Sequence, residues 1–187
     1  MNNEDKIVNT IHWMESGVLD SGDILIQENF NLDLHTKICD VFEWVERSAP
    51  DMFLETLKIL QNNPSYVLKK QRDSPKIALR CYPRLPEDCK IVWTKTCLEI
   101  HNLIRVSSKP FSGAFCNFKN DVIRIIDSEI FEDNEAFLAV PGQIMAFEKE
   151  SVVVATGEGK LLVKKIIHNK KTLNPRNVIT SLRSRFT

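Results

Sequence analysis

Residues 141–166, PGQIMAFEKESVVVATGEGKLLVKKI, contain three apolar runs separated by short polar turns. Runs of this length, rich in valine, isoleucine and leucine and bounded by glycine or proline, are typical of β-strands. Pro141-Gly142 marks one turn, and Gly157-Glu158-Gly159 is compact enough for a hairpin. The segment therefore predicts three consecutive strands, at Gln143–Phe147, Val152–Thr156 and Leu161–Ile167.

Two more strands and a helix are predicted before this segment. The strands are Gly113–Phe118 and Val122–Glu129, linked by Lys119-Asn120. Residues 94–108 have the spacing of an amphipathic helix, with one apolar side formed by Cys97, Ile100, Leu103 and Ile104. Five short strands with compact turns predict a small β-barrel domain, OB-like in size. A last helix is predicted from Asn174-Pro175, with an apolar stripe of Val178, Ile179 and Leu182.

The N-terminal third predicts a strand pair followed by two helices. The strands are Thr10–Met14 and Ile24–Gln27, and the first helix begins after Asp33. Pro50 is expected to open the second helix, because proline suits a first helical turn. The predicted buried face of that helix is Phe53, Leu57 and Leu60. These elements are too few to enclose a core, so they are expected to belong to a larger α/β domain.

Residues 65–88 differ from both flanks. They are rich in charged residues and proline and show no sustained hydrophobic period, as in KKQRDSPKIALRCYPRLPED. Such a composition predicts a linker or a surface excursion. We expect three parts: 1–70, the end of an α/β domain; 71–88, the linker; and 89–187, the OB-like domain.

The composition favours no charged partner for the chain as a whole. There are 25 basic and 25 acidic residues, and no apolar run approaches the ~20 residues of a membrane span. The five cysteines form no C-x-x-C pair, which argues against a zinc knuckle or a disulfide framework and suits a reducing cytoplasm.

The C-terminal end of the sequence is basic. After Glu158 there is no acidic residue, whereas eight lysines and arginines follow. This basic end predicts either phosphate attraction or a solvated face.

Four segments resemble the 10-formyltetrahydrofolate-dependent formyltransferases. Residues 10–27, TIHWMESGVLDSGDILIQ, are similar to the end of that family's catalytic domain. Residues 84–93 and 101–115, RLPEDCKIVW and HNLIRVSSKPFSGAF, resemble its domain junction, and residues 141–166 its C-terminal domain. The resemblance implies a Rossmann-like domain followed by an OB-like domain. The implied reaction is formyl transfer from N10-formyltetrahydrofolate to a primary amine.

The resemblance also implies one catalytic residue. Considered alone, Asp23 in the LDSGD loop is a typical turn aspartate. By position it corresponds to the family's catalytic aspartate, which acts with an Asn-x-His motif. That motif and the following Ser-Leu-Leu-Pro loop do not occur in this sequence, and neither His12 nor His101 follows an Asn-x spacing. The chain is therefore expected to be the C-terminal part of such an enzyme.

The sequence leaves more than one possibility for the formyl acceptor and for the residues that bind it. Arg80 and Arg84 are candidates for binding a phosphate or pyrophosphate, or for a salt bridge with Glu87 or Asp88. The Arg-x-Pro-Glu-Asp pattern of residues 84–88 looks more like the family branch that formylates nucleotide-linked amino sugars. The basic end instead suits the branch that formylates methionyl-tRNA. A third interpretation is a non-catalytic fragment whose barrel serves interaction or homodimerisation.

Overall fold

The computed structural model describes residues 4–71, 81, 83–133 and 135–187, which divide into two compact units. The N-terminal unit contains Glu4–Asp33 and the described part of Asp40–Pro83. The C-terminal unit contains Leu34–Cys39 and the described part of Arg84–Thr187. Within the described ranges, no helix has both the length and the apolar character needed to cross a membrane.

The N-terminal unit is built from a hairpin and a long helix. Strand β1, Lys6–His12, pairs antiparallel with β2, Ile24–Asn31. Helix α1 is continuous over Ile38–Asn62 and contains Pro50. The prediction of two helices separated at Pro50 was therefore wrong. The buried residues recur every three or four positions on both sides of the proline, so one packed face overrides its local preference: Val41, Trp44, Ser48, Met52 and Thr56.

That packed face also corrects the expected orientation of the second half of α1. Phe53 and Leu57, predicted to be buried, are 56% and 49% exposed. Met52 and Thr56, one position earlier in each turn, occupy the interior instead. Trp44 stacks on Phe30 of β2, with ring centroids 5.2 Å apart. The helix is thus anchored by an aromatic contact to the hairpin.

The C-terminal unit is one antiparallel sheet with a helix against it. The strands are β3 (Ala114–Phe118), β4 (Asp121–Phe131), β5 (Ile144–Glu148), β6 (Ser151–Ala155), β7 (Lys160–His168) and β8 (Lys171–Leu173). Their order is β3-β4-β7-β6-β5, and β8 pairs with β7. Helix α2, Cys97–Ser107, buries Ile100 and Ile104 in the same core as the sheet. The five predicted strands and the predicted helix are confirmed.

The described strands do not close into a barrel, because β3 and β5 remain the ends of the sheet. Instead, residues 184–187, which we call the C-terminal strap, hydrogen-bond to both ends. Asn117 and Thr187 exchange two backbone hydrogen bonds of 2.7 and 2.9 Å. Ile144 N donates to Ser184 O, and Phe186 N to Gly142 O. The chain approaches so closely here that a Cβ on Gly142 would lie 2.2 Å from Phe186 O.

The predicted last helix was wrong. Only a three-residue 3-10 turn, Pro175–Asn177, forms in this region. Ile179 is fully buried while Leu182 is 46% exposed, so the two do not share one helical face. The chain instead extends toward the strap and inserts Phe186 into the core. Long-range packing therefore replaces the local helical spacing.

Helix α2 begins with a capping box that gives a first test. Thr96 Oγ1 accepts from Glu99 N at 3.2 Å, and Thr96 N donates to the Glu99 carboxylate at 3.0 Å. Thr96→Ala should lower the free energy of unfolding by about 1 kcal/mol, because an amide at the helix start loses its acceptor. Urea denaturation measures the loss. Thr94→Ala, an exposed position two residues earlier, is the control and should change little.

Candidate functional site

The loop between β1 and β2 places Asp23 at the start of β2. Trp13 N donates to Asp23 O at 3.0 Å, which closes the loop at its base. Gly22 lies against the same backbone, since a Cβ there would be 1.7 Å from Trp13 O. The requirement for glycine is therefore space for a close chain approach. Asp20, in the left-handed region with φ 55°, turns the chain further out.

The Asp23 carboxylate is buried at one oxygen and lacks a partner there. Oδ1 is shielded from solvent and makes no hydrogen bond to any residue that the structure describes. Buried polar atoms are nearly always hydrogen-bonded, because an unpaired one carries the full cost of desolvation. An unpaired carboxylate oxygen at the base of a loop is therefore a candidate for contact with a ligand or a catalytic partner.

Of the two arginines predicted to bind a phosphate group, the structure describes only Arg84. Arg80 lies outside the described residues. Arg84 is exposed and donates to Ser107 Oγ at 3.2 Å and to Cys89 Sγ at 3.3 Å. Asp88, its alternative ion-pair partner, accepts instead from Leu85 N at 2.7 Å. Arg84 belongs to the C-terminal unit and Asp23 to the N-terminal unit.

His101 of α2 is a buried residue that the sequence assigned only to a junction. Its Nε2 lies 2.7 Å from Leu34 O and its Nδ1 lies 3.0 Å from Ser128 Oγ. A carbonyl only accepts, so Nε2 carries the proton and Nδ1 accepts from the hydroxyl when the ring is neutral. Burial lowers the pKa of His101, which favours this neutral form.

Arg105 lies one turn further along α2 and is 7% exposed. Its Nε donates to Asn102 Oδ1 at 2.8 Å and its Nη1 to Thr36 O at 2.9 Å. Together with His101 it holds the segment Leu34–Cys39 by two of its carbonyls. This contact explains why that segment belongs to the C-terminal unit although the chain on both sides of it does not.

The basic end of the sequence is partly neutralised in space. Lys160 is 4% exposed and donates to both carboxylate oxygens of Asp133 at 2.7 Å. Lys164 pairs with Glu129 of β4. Both acids precede the basic stretch in sequence by about 30 residues and reach it through the pairing of β4 with β7. A count along the chain therefore overstates the positive charge available to an anionic partner.

The family model described as "Formyl transferase, C-terminal domain" matches residues 85–183, more than half of the chain. The methionyl-tRNA formyltransferase of Fusobacterium nucleatum is 28% identical over 86% of this chain and 51% of its own length. The chain thus spans about half the length of the curated relatives that it matches.

Two solved structures show the same fold. HypX from Aquifex aeolicus has a TM-score of 0.65 at 15% identity, covering 95% of this chain and 30% of its own. The N-formyltransferase from Helicobacter canadensis, solved with folinic acid and dTDP-3-aminofucose, has a TM-score of 0.64 at 19% identity, covering 87% and 56%. With the family match over residues 85–183, the chain belongs to the formyltransferase family and is similar to its C-terminal part.

Proposed function

We propose that this chain is the C-terminal part of an enzyme that transfers a formyl group from N10-formyltetrahydrofolate to a primary amine. The observation that carries the proposal is the buried, unpartnered Oδ1 of Asp23 in the loop that corresponds to the family's catalytic loop. A turn aspartate that served only the loop would have its carboxylate solvated or bonded to nearby amides. In Asp23, the Oδ1 atom can accept a hydrogen bond, and no described residue donates one to it.

The chemistry of formyl transfer gives this carboxylate oxygen a role. The folate donor supplies the formyl carbon, and the new bond joins that carbon to the acceptor nitrogen while the bond to N10 breaks. The attacking amine must lose a proton. Asp23 would accept that proton through water or would orient a neighbouring histidine. The developing negative charge on the formyl oxygen needs other donors. The Asn-x-His pair that supplies them in the family does not occur in residues 1–187.

For the acceptor, we propose the amino group of a nucleotide-linked sugar. Residues 84–88, RLPED, resemble the sugar-directed branch, and the chain carries no net charge. The pairing of Lys160 and Lys164 with acids removes part of the charge that a tRNA would use. The fold likeness to the Helicobacter canadensis enzyme is compatible with this acceptor. Arg84 and Arg80 are proposed to contribute to the nucleotide site.

Methionyl-tRNA is the second candidate acceptor. It is favoured by the relatives, since the Fusobacterium nucleatum protein that matches 86% of this chain carries that name. Lys170, Lys171 and Arg183 are exposed and form no described ion pair, so they remain available to phosphates. A tRNA acceptor predicts a strong dependence of binding on salt, and a nucleotide sugar a weaker one.

We also propose how the two units relate to the family's domains. The hairpin and α1 would be the end of a Rossmann-like formyltransferase domain within residues 1–70. Residues 71–88 would be the linker. Residues 89–187 would be a variant of the OB-like domain, in which the C-terminal strap joins the two sheet ends in place of direct strand pairing.

Mass spectrometry of formyl transfer tests the proposal. Chain 1–187 and the longest protein form that its gene encodes are each incubated with N10-formyltetrahydrofolate, amino-sugar nucleotides and methionyl-tRNA. The acceptor that gains the mass of one CO identifies the branch. We expect transfer to an amino-sugar nucleotide by a form that contains an Asn-x-His motif. Lack of transfer by every form to every acceptor would leave the interaction or homodimerisation module as the function.

A further inference from the structure

A bulge in the N-terminal hairpin lies directly beside the loop between β1 and β2. In a regular ladder His12 would pair with Leu25, but it pairs with Ile24 instead. Ile24 and Leu25 are both buried, although successive side chains of a regular strand point to opposite faces. Bulges are frequent next to active sites, where they redirect a side chain. His12 is the residue of β1 at which the ladder changes register.

The side chain of His12 turns back onto the first residue of the loop. Its Nδ1 lies 2.8 Å from Trp13 O, and the side chain is 22% exposed. A carbonyl oxygen only accepts, so Nδ1 carries a proton and donates this hydrogen bond. The contact is made by the neutral ring and by the charged ring alike, since both carry a proton on Nδ1.

The backbone of Trp13 contacts two consecutive residues at the end of the loop. Its N–H donates to Asp23 O at 3.0 Å. Its carbonyl oxygen lies so close to Gly22 that a Cβ there would be 1.7 Å away. Fixing Trp13 O therefore fixes the surface against which Gly22 packs and the donor that holds Asp23.

The second ring nitrogen of His12 adds little to this arrangement. Nε2 lies 3.7 Å from Asp20 Oδ1, which is beyond hydrogen-bond distance. The Asp20 side chain is 90% exposed, and ion pairs of exposed groups contribute little to stability. The contact that fixes the base of the loop is therefore the hydrogen bond from Nδ1 to the Trp13 carbonyl.

We propose that His12 positions the Asp23 carboxylate through the backbone of Trp13. This role rests on the proposed function, in which Asp23 serves formyl transfer. His12 donates to Trp13 O, and Trp13 N–H holds Asp23 O, so the buried Oδ1 keeps its place. A displacement of about 1 Å in a catalytic site can reduce turnover about a hundredfold. His12 is thus a positioning residue for the proposed reaction.

Amide hydrogen exchange of chain 1–187, followed by NMR, tests the contact without folate or acceptor. The reporter is Trp13 N–H. Leu32 N–H, which donates to Asp5 O at the opposite end of the hairpin, is the internal control. His12→Leu should raise the exchange rate of Trp13 about fivefold and leave that of Leu32 unchanged, because only the loop base loses a hydrogen bond. His12→Asn should keep slow exchange, since its amide donates from nearly the position of Nδ1.

Steady-state kinetics of the form of the protein that transfers formyl groups connects this contact to turnover. His12→Leu should lower kcat about tenfold with little change in KM, and His12→Asn should restore most of the loss. Gln27→Leu is the matched control on the same hairpin, because its side chain donates to Thr10 Oγ1 away from the loop. It should leave kcat and the exchange of Trp13 unchanged.

The two measurements separate this proposal from the proposed function. Unchanged exchange of Trp13 in His12→Leu would overturn the positioning role regardless of activity. Loss of kcat in His12→Asn with slow exchange of Trp13 would also overturn it, because the imidazole itself would then take part in proton transfer. Faster exchange in His12→Leu without formyl transfer by any form of the protein would support the contact and reject the proposed function.

Discussion

Phe186→Ala should lower the free energy of unfolding of the C-terminal unit by about 3–5 kcal/mol, a large share of the stability of a single domain. The side chain is fully buried. Its ring stacks on Trp93 with centroids 5.3 Å apart and contacts Phe118 at 5.6 Å in a tilted arrangement. Truncation removes the whole ring from the core and leaves a cavity beside two aromatic neighbours. It also loosens the strap that joins β3 to β5.

Guanidinium denaturation monitored by tryptophan fluorescence measures this effect, since Trp93 is in direct contact with the deleted ring. Phe111→Ala is the matched control in the same unit. Phe111 is 50% exposed, so the same chemical change should cost about 1 kcal/mol or less. A loss in Phe186→Ala no greater than in the control would contradict the strap's role in the core.

Asp23→Asn should reduce formyl transfer by a factor of about 10²–10⁴ in the form of the protein that shows activity. The amide keeps the shape of the side chain but accepts a proton far less readily than the carboxylate. The folded state should lose little stability, because Oδ1 makes no described hydrogen bond that the substitution could break. Loss of activity without loss of stability is the pattern of a catalytic group.

Steady-state kinetics and thermal denaturation of the same preparations test both parts of this expectation. Asp20→Asn is the control: its side chain is 90% exposed, and asparagine tolerates the left-handed backbone that Asp20 adopts. It should retain activity. Turnover of Asp23→Asn close to that of the unmodified enzyme would remove Asp23 from the mechanism.

The strands were predictable because their signal is local. Ser151–Ala155, observed as β6, was expected at Val152–Thr156 from its valine run between two turns. The short β8, Lys171–Leu173, was not predicted, because three residues with two polar side chains carry no hydrophobic period. The errors at Pro50 and after Asn174 share one cause. In both places contacts with distant residues decide the conformation, and local spacing contains no information about them.

The candidate site was predictable in part. The sequence located Asp23 by resemblance, but the burial of its Oδ1 depends on the fold of the loop around Trp13 and Gly22. The partners of the basic end were not predictable either. Glu129 and Asp133 approach Lys164 and Lys160 only through the register of β4 against β7.

The C-terminal strap has a further consequence for behaviour at high concentration. An uncovered edge strand offers unpaired N–H and C=O groups to another molecule and promotes aggregation. In this protein one segment of four residues occupies part of both edges, β3 and β5. Displacing the strap would expose, on one sheet, two edge strands that can each pair with a strand of another molecule. Molecules with two such edges add to one another in succession and form open fibres rather than closed pairs.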